Sequence, residues 1–275
     1  MEWMAYTLVG VFTGFTAAIM TNIEENTTSW RKNHADDIIS NTRDHIFEGW
    51  LFFTGFSALL VLISTVMTVY WGPGAYGSGV AELIAYLNGV NYPNVFGFET
   101  FVTKTIGVVL AVVGGLCVGK EGPLAHIGAN IGVFVLYLPL PKFDFFRNDK
   151  NKRHLIAAGT SAGVSAAFGA PIGGALFAYE ISKPNTFWKF SVVWKVFFSC
   201  ALAVFTLAIF NALLEGETIN DISSSVLKFG LNPITAPTIE TIPGSMITGA
   251  FAGLLGAGFI IVNTYLGLFR KHYIK

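Results

Sequence analysis

The sequence predicts an all-α integral membrane protein, a multi-span helical bundle with broken and re-entrant helices. Three observations predict it. Of 275 residues, 53% are hydrophobic and only 12% charged, about half the charged share of a soluble domain. Several apolar runs are long enough to cross a hydrocarbon layer of about 30 Å. Thirty glycines suit close packing and interruption of helices in lipid. The formal charge is zero, from 17 basic and 17 acidic side chains, so composition points to no nucleic-acid partner. Cys117 and Cys200 lie in apolar segments and read as small buried hydrophobes, with no disulfide framework implied. The first apolar run lacks a basic leader and a small-residue cleavage site, which argues against a cleavable signal peptide.

Taken in order, residues 4–21 form the first span, just long enough to cross. Residues 22–48 read as a polar loop, with six acidic side chains against Arg31, Lys32 and Arg43. Asn26, Thr27 and Thr28 form a glycosylation sequon that lies too close to the membrane for its use to be expected. Residues 50–71 are a clear second span, broken by Gly72, Pro73 and Gly74. Gly77, Ser78 and Gly79 follow at once, where glycine permits close backbone approach and Ser78 offers a hydroxyl beside helix N–H groups. The plain alternative is Ser78 as the N-cap of a short helix. Residues 101–118 read as an apolar helix interrupted by Lys104, and residues 123–140 as the next. Residues 142–154 are the most basic loop, placed in the cytoplasm by the positive-inside rule. Residues 155–168 reach only about 21 Å as a helix and 171–179 less. Gly169, Ala170 and Pro171 split them, so the two read as a re-entrant pair, with small residues favouring close approach. Residues 190–214 cross, 215–242 form a mostly acidic outer loop, and 243–269 cross back to a basic, cytoplasmic end.

The chemistry concentrates in Gly119, Lys120, Glu121, Gly122 and Pro123, with His126 one turn on. A carboxylate at the end of an apolar run is expensive to bury as an anion and is functional by default. The glycines let the chain turn, and Pro123 suits the first turn of a helix. The free N–H groups and dipole of that turn make an anion site for which Glu121 competes. Two other readings of the stretch exist. Residues 114–120 fit most of a phosphate-binding loop, but Glu121 stands where Ser or Thr should hold magnesium. Lys120 and Glu121 could instead form a structural ion pair. His126, alone in an apolar helix, reads as a hydrogen-bonded packing residue before a proton relay. No His, Cys and carboxylate cluster suggests a metal, and no nucleophile–base pair suggests hydrolysis. The protein is therefore not expected to be an enzyme or to need a cofactor.

These motifs carry a family resemblance. Gly119 to Pro123 with His126 resembles the signature of the chloride channel and chloride/proton exchanger (CLC) family. Gly77 to Glu82 with Leu87 to Val90, and Gly169 to Gly174, agree with it. Phe187, Trp188, Trp194, Lys195 and Val196 are most similar to its endosomal/lysosomal branch. The resemblance covers nearly the whole chain but only the first half of a typical member. It implies one partial pore domain over residues 1–275 of an inverted-repeat fold, without the second half or regulatory domains. It also implies chloride as the transported ion, with Ser78 and Gly79, together with Gly119, Lys120, Glu121, Gly122 and Pro123, as anion-binding residues. Glu121 would gate: ionised it closes the path, protonated or displaced by chloride it opens it. Val80 and Ala81 stand where the family has Ile and Pro. Exchangers carry two adjacent glutamates where this chain has Glu180 and Ile181. That favours a passive, voltage- or pH-gated channel, with a chloride/proton antiporter or a non-conducting truncated subunit as alternatives and Glu180 as a doubtful proton carrier. The expected setting is the bilayer of an endosomal, lysosomal or other intracellular membrane. The partners are a second copy or a chain supplying the missing half.

Overall fold

A computed structural model describes residues 2–41, 46–139, 147–182, 189–215 and 241–273. Nine α-helices are present among them: α1 (Glu2–Asn41), α2 (Ile46–Tyr70), α3 (Val80–Leu87), α4 (Phe98–Val113), α5 (Glu121–Tyr137), α6 (Asp149–Phe168), α7 (Pro171–Ser182), α8 (Phe190–Glu215) and α9 (Thr241–Tyr273). Four of these, α1, α2, α8 and α9, are long and apolar enough to cross a membrane. The chain forms two compact units, Met1–Leu227 and Lys228–Lys275. The second contains α9, a 33-residue helix with Arg270, Lys271 and His272 in its last turn, where cations complement the helix dipole. Phe187 and Trp188, most of the acidic stretch at 215–242, and residues 142–146 of the basic loop lie outside the described residues.

Three expected boundaries move. Residues 22–41, expected as a loop, continue α1 as a helix of 40 residues, about 60 Å long. That segment is polar but contains no glycine or proline, and one face packs on α2. There Arg31 and Ala35 are buried, and Trp30 lies against Phe52 and Phe56. Asn26 of the sequon is inside the helix, its amide donating to Asn22 Oδ1 at 3.0 Å. Helix α4 ends at Val113, five residues early, because Gly114 caps it and Gly115 turns left-handed with φ 83°. Cys117 consequently lies exposed in the turn, not buried as expected, whereas Cys200 is buried. Helix α6 begins at Asp149, capped by Asn148 Oδ1 accepting from the Asn151 N–H. It therefore runs 20 residues, about 30 Å, longer than the expected fourteen. The break after it stands as read, with Gly169 at φ 62° and α7 starting at Pro171.

The centre of the first unit is the α5–α6 seam. A Cβ at Gly159 would collide with the Gly128 carbonyl, and one at Gly163 with the Leu124 carbonyl. Helices meeting backbone to backbone gain dispersion contacts that larger residues would prevent. Ile127, Leu124, Leu155 and Ala158 are buried around this seam with Tyr6 and Val9 of α1 and Val196 of α8. This close packing sets the position of α5, and with it the place where α5 begins.

Candidate anion site

Helix α5 begins at Glu121, with Lys120 as its N-cap and no side chain capping it. The first-turn N–H groups are thus left open to another acceptor. The Glu121 carboxylate folds back over Gly119, where any side chain would collide with it. Among the described residues no hydrogen bond or ion pair engages that carboxylate. Lys120 turns away from it. Its ammonium pairs with Glu24 Oε2 of α1 at 3.1 Å, so the Lys120–Glu121 ion pair is not formed.

The second turn comes from the break after α2. Gly77 and Gly79 adopt φ of 64° and 81°, conformations that favour glycine. Gly79, not Ser78, is the N-cap of α3. Ser78 stands one residue earlier, exposed, its hydroxyl oxygen accepting from the Val80 N–H at 3.3 Å. The two turns touch: a Cβ at Gly122 would lie 2.9 Å from Ser78 Cβ, and Gly79 sits on the His126 ring. His126 is fully buried, with Nε2 donating to the Val95 carbonyl at 2.8 Å. This fits its reading as a packing residue. A residue larger than glycine at 79 would displace the ring.

Ser78, Gly119 and Pro123 line one cavity of about 440 Å³, together with Gly77, Thr103, Lys104 and Val118. Lys104, read from sequence only as an interruption, is the main residue that sequence reasoning missed. It is 2% exposed and donates 2.8 Å hydrogen bonds to the carbonyls of Ala75 and Gly77. It thereby fixes the loop that presents Ser78 and leaves a cation in the cavity wall. A lone lysine in an otherwise apolar helix was the available signal. Thr103 beside it is fully buried, and its hydroxyl has no partner among the described residues.

Profile comparison matches residues 59–275 to the voltage-gated chloride channel family. The chain belongs to the voltage-gated chloride channel family. It is 35% identical to the human H(+)/Cl(-) exchange transporter 7 over 288 residues, 99% of this chain and 35% of that protein. The mouse protein of the same name matches at 35% over 99% of this chain. Chloride channel protein CLC-a of Arabidopsis thaliana is 35% identical over 94% of this chain and 34% of its own length. The chain thus spans about a third of the length of these relatives. A eukaryotic CLC transporter superimposes with TM-score 0.71 at 23% identity, over 98% of this chain and 45% of that one. A slow cyanobacterial Cl-/H+ antiporter gives 0.67 at 25% identity, over 76% and 46%. The CLC fold expected from the motifs is the fold observed, in an integral membrane protein with helices broken at the turns before α3 and α5.

Glu180 is not part of the cavity. It is exposed near the end of α7, contrary to the burial that would have tuned it as a proton carrier. Ile181 beside it is half-buried and packs on the cluster of Leu83, Tyr86 and Leu87. The Asn88 amide donates to its carbonyl at 3.1 Å.

Proposed function

We propose that the chain supplies an anion-binding, Glu121-gated portion of a chloride/proton exchange pathway. The observation that carries this reading is the meeting of two glycine-built helix starts at one cavity, beside a carboxylate with no ion-pair partner among the described residues. Open N–H groups, the Ser78 hydroxyl and the Lys104 cation together suit a weakly hydrated monovalent anion. An ionised Glu121 competes for that position; protonation or displacement by chloride removes the competitor. Exchange is favoured over the passive conduction expected from Ile181 because proteins named as H(+)/Cl(-) exchange transporters match 99% of the chain. Passive conduction stays as a second reading on one observation: Ile181 cannot take up a proton. Any acceptor there would have to be its neighbour Glu180, about 100° round the helix.

The test is chloride flux and proton uptake in vesicles containing the protein. Exchange requires a chloride gradient to drive protons uphill, with Glu180→Gln abolishing this movement. Chloride flux without proton movement, gaining coupling only in Ile181→Glu, selects the passive reading. Absent flux in vesicles that also hold a chain supplying the missing half would refute both pathway and gate.

A further inference from the structure

The polar end of α1 touches the gate turn at a point that the anion reading does not use. Glu24 and Lys120 are 96 residues apart in sequence and form an ion pair at 3.1 Å. The side chains are 19% and 27% exposed, so the pair is largely shielded from water. Two turns further along α1, Arg31 donates to Ser57 Oγ of α2 at 2.8 Å and lies over the Phe53 ring at 4.3 Å. Its guanidinium also abuts Gly115, where the chain leaves α4 towards Glu121. One helix face therefore holds the gate turn near its start, at Gly115, and near its end, at Lys120.

We propose that Glu24 is a positioning residue for the gate: it holds the Lys120 ammonium on α1, away from the Glu121 carboxylate. Lys120 is adjacent to Glu121, and among the described residues no side chain other than Glu24 bonds its cation. Without Glu24 that charge is free to turn towards Glu121 and stabilise its ionised, path-closing form. Other charged or titratable groups among the described residues near this turn include Lys104 of α4 in the cavity wall, His126 beneath Gly79 and the exposed Cys117 thiol. Glu82 lies in the first turn of α3, and Arg31 lies at Gly115. Lys104 is tied to two backbone carbonyls and His126 to a third. Lys120 is accordingly the cation whose placement depends on a single, largely shielded carboxylate.

The inference rests on Glu121 as gate, and the experiment separates the two. In the full chain, Glu24→Gln should shift the pH midpoint of anion flux to more acidic values by about half a unit, the size of a partly screened charge effect. Amide exchange across residues 114–124 should quicken about threefold, as loss of a half-shielded pair allows. Glu24→Asp should restore both. In a Lys120→Met background, Glu24→Gln should change neither. An unmoved midpoint, or additive effects of the two substitutions, would overturn the proposal even if exchange quickened. If instead Glu121→Gln leaves the flux–pH profile intact, the gate reading itself fails. The exchange comparison needs no flux, and unchanged protection in Glu24→Gln would reject the pairing on its own.

Discussion

Helix α5 belongs to two regions built by opposite rules. Along its body it meets α6 through Gly128 and Gly163 against backbone carbonyls, in a seam ringed by buried apolar side chains. At its first turn it meets Ser78, Gly119 and Lys104 around a cavity, with glycines in left-handed conformations and a carboxylate without an ion-pair partner among the described residues. The seam tolerates no added atom; the cavity depends on atoms left unsatisfied. The proposed gate turn thus starts a helix whose body is closely packed, so that a small side-chain rotation would act against a fixed frame.

The largest expected effect breaks the seam. Gly159→Leu places a branched side chain against the Gly128 carbonyl and should cost about 3 kcal/mol or more. Loss of monodisperse protein on size-exclusion chromatography in detergent checks it. Next comes Lys104→Met, which preserves length but removes both donors to Ala75 and Gly77. Hydrogen bonds from a charged donor are worth about 1.5–3 kcal/mol, so thermal unfolding should fall measurably while the seam survives. Anion flux should drop with it, because the Ser78 loop loses its anchor. Glu121→Ala sharpens the contrast: stability should stay within about 0.5 kcal/mol of the parent, yet flux should lose its pH dependence. A retained profile in liposomes would show that this carboxylate does not gate. The smallest effect is Ser78→Pro, which removes the neutral donor and should shift preference towards nitrate with little change in unfolding. Equal relative permeabilities in both proteins would leave Ser78 as a turn residue alone.

What the sequence made legible was backbone chemistry. Pro171 after Gly169 broke two helices where expected, and Gly77 and Gly79 marked a turn that only positive φ allows. Fold class followed from apolar runs whose length the bilayer dictates. Side-chain pairing across long separations was not legible. Lys104 appeared as a flaw in an apolar helix, since nothing local says that carbonyls 27 and 29 residues earlier will need its protons. Lys120 looked like a partner for Glu121 by adjacency, whereas its partner lies on α1. Polarity misled at residues 22–41, because a polar segment without helix breakers can be helix outside the hydrocarbon. Glycine misled in the other direction at Gly114 and Gly115, which end α4 inside an apolar run.

The lysine that anchors the Ser78 loop also sets an order in time. Residues 75 and 77 leave the ribosome before Lys104 does, and α4 must enter the bilayer before its ammonium can reach them. Until then the two carbonyls have only water to bond, and in hydrocarbon they would have none. Those carbonyls are met by a residue 29 and 27 positions later, so docking of the loop is expected late in insertion. A slowing of synthesis just after α4 would lengthen that wait, and a pause before it would leave the wet loop beside α2 with nothing to close it.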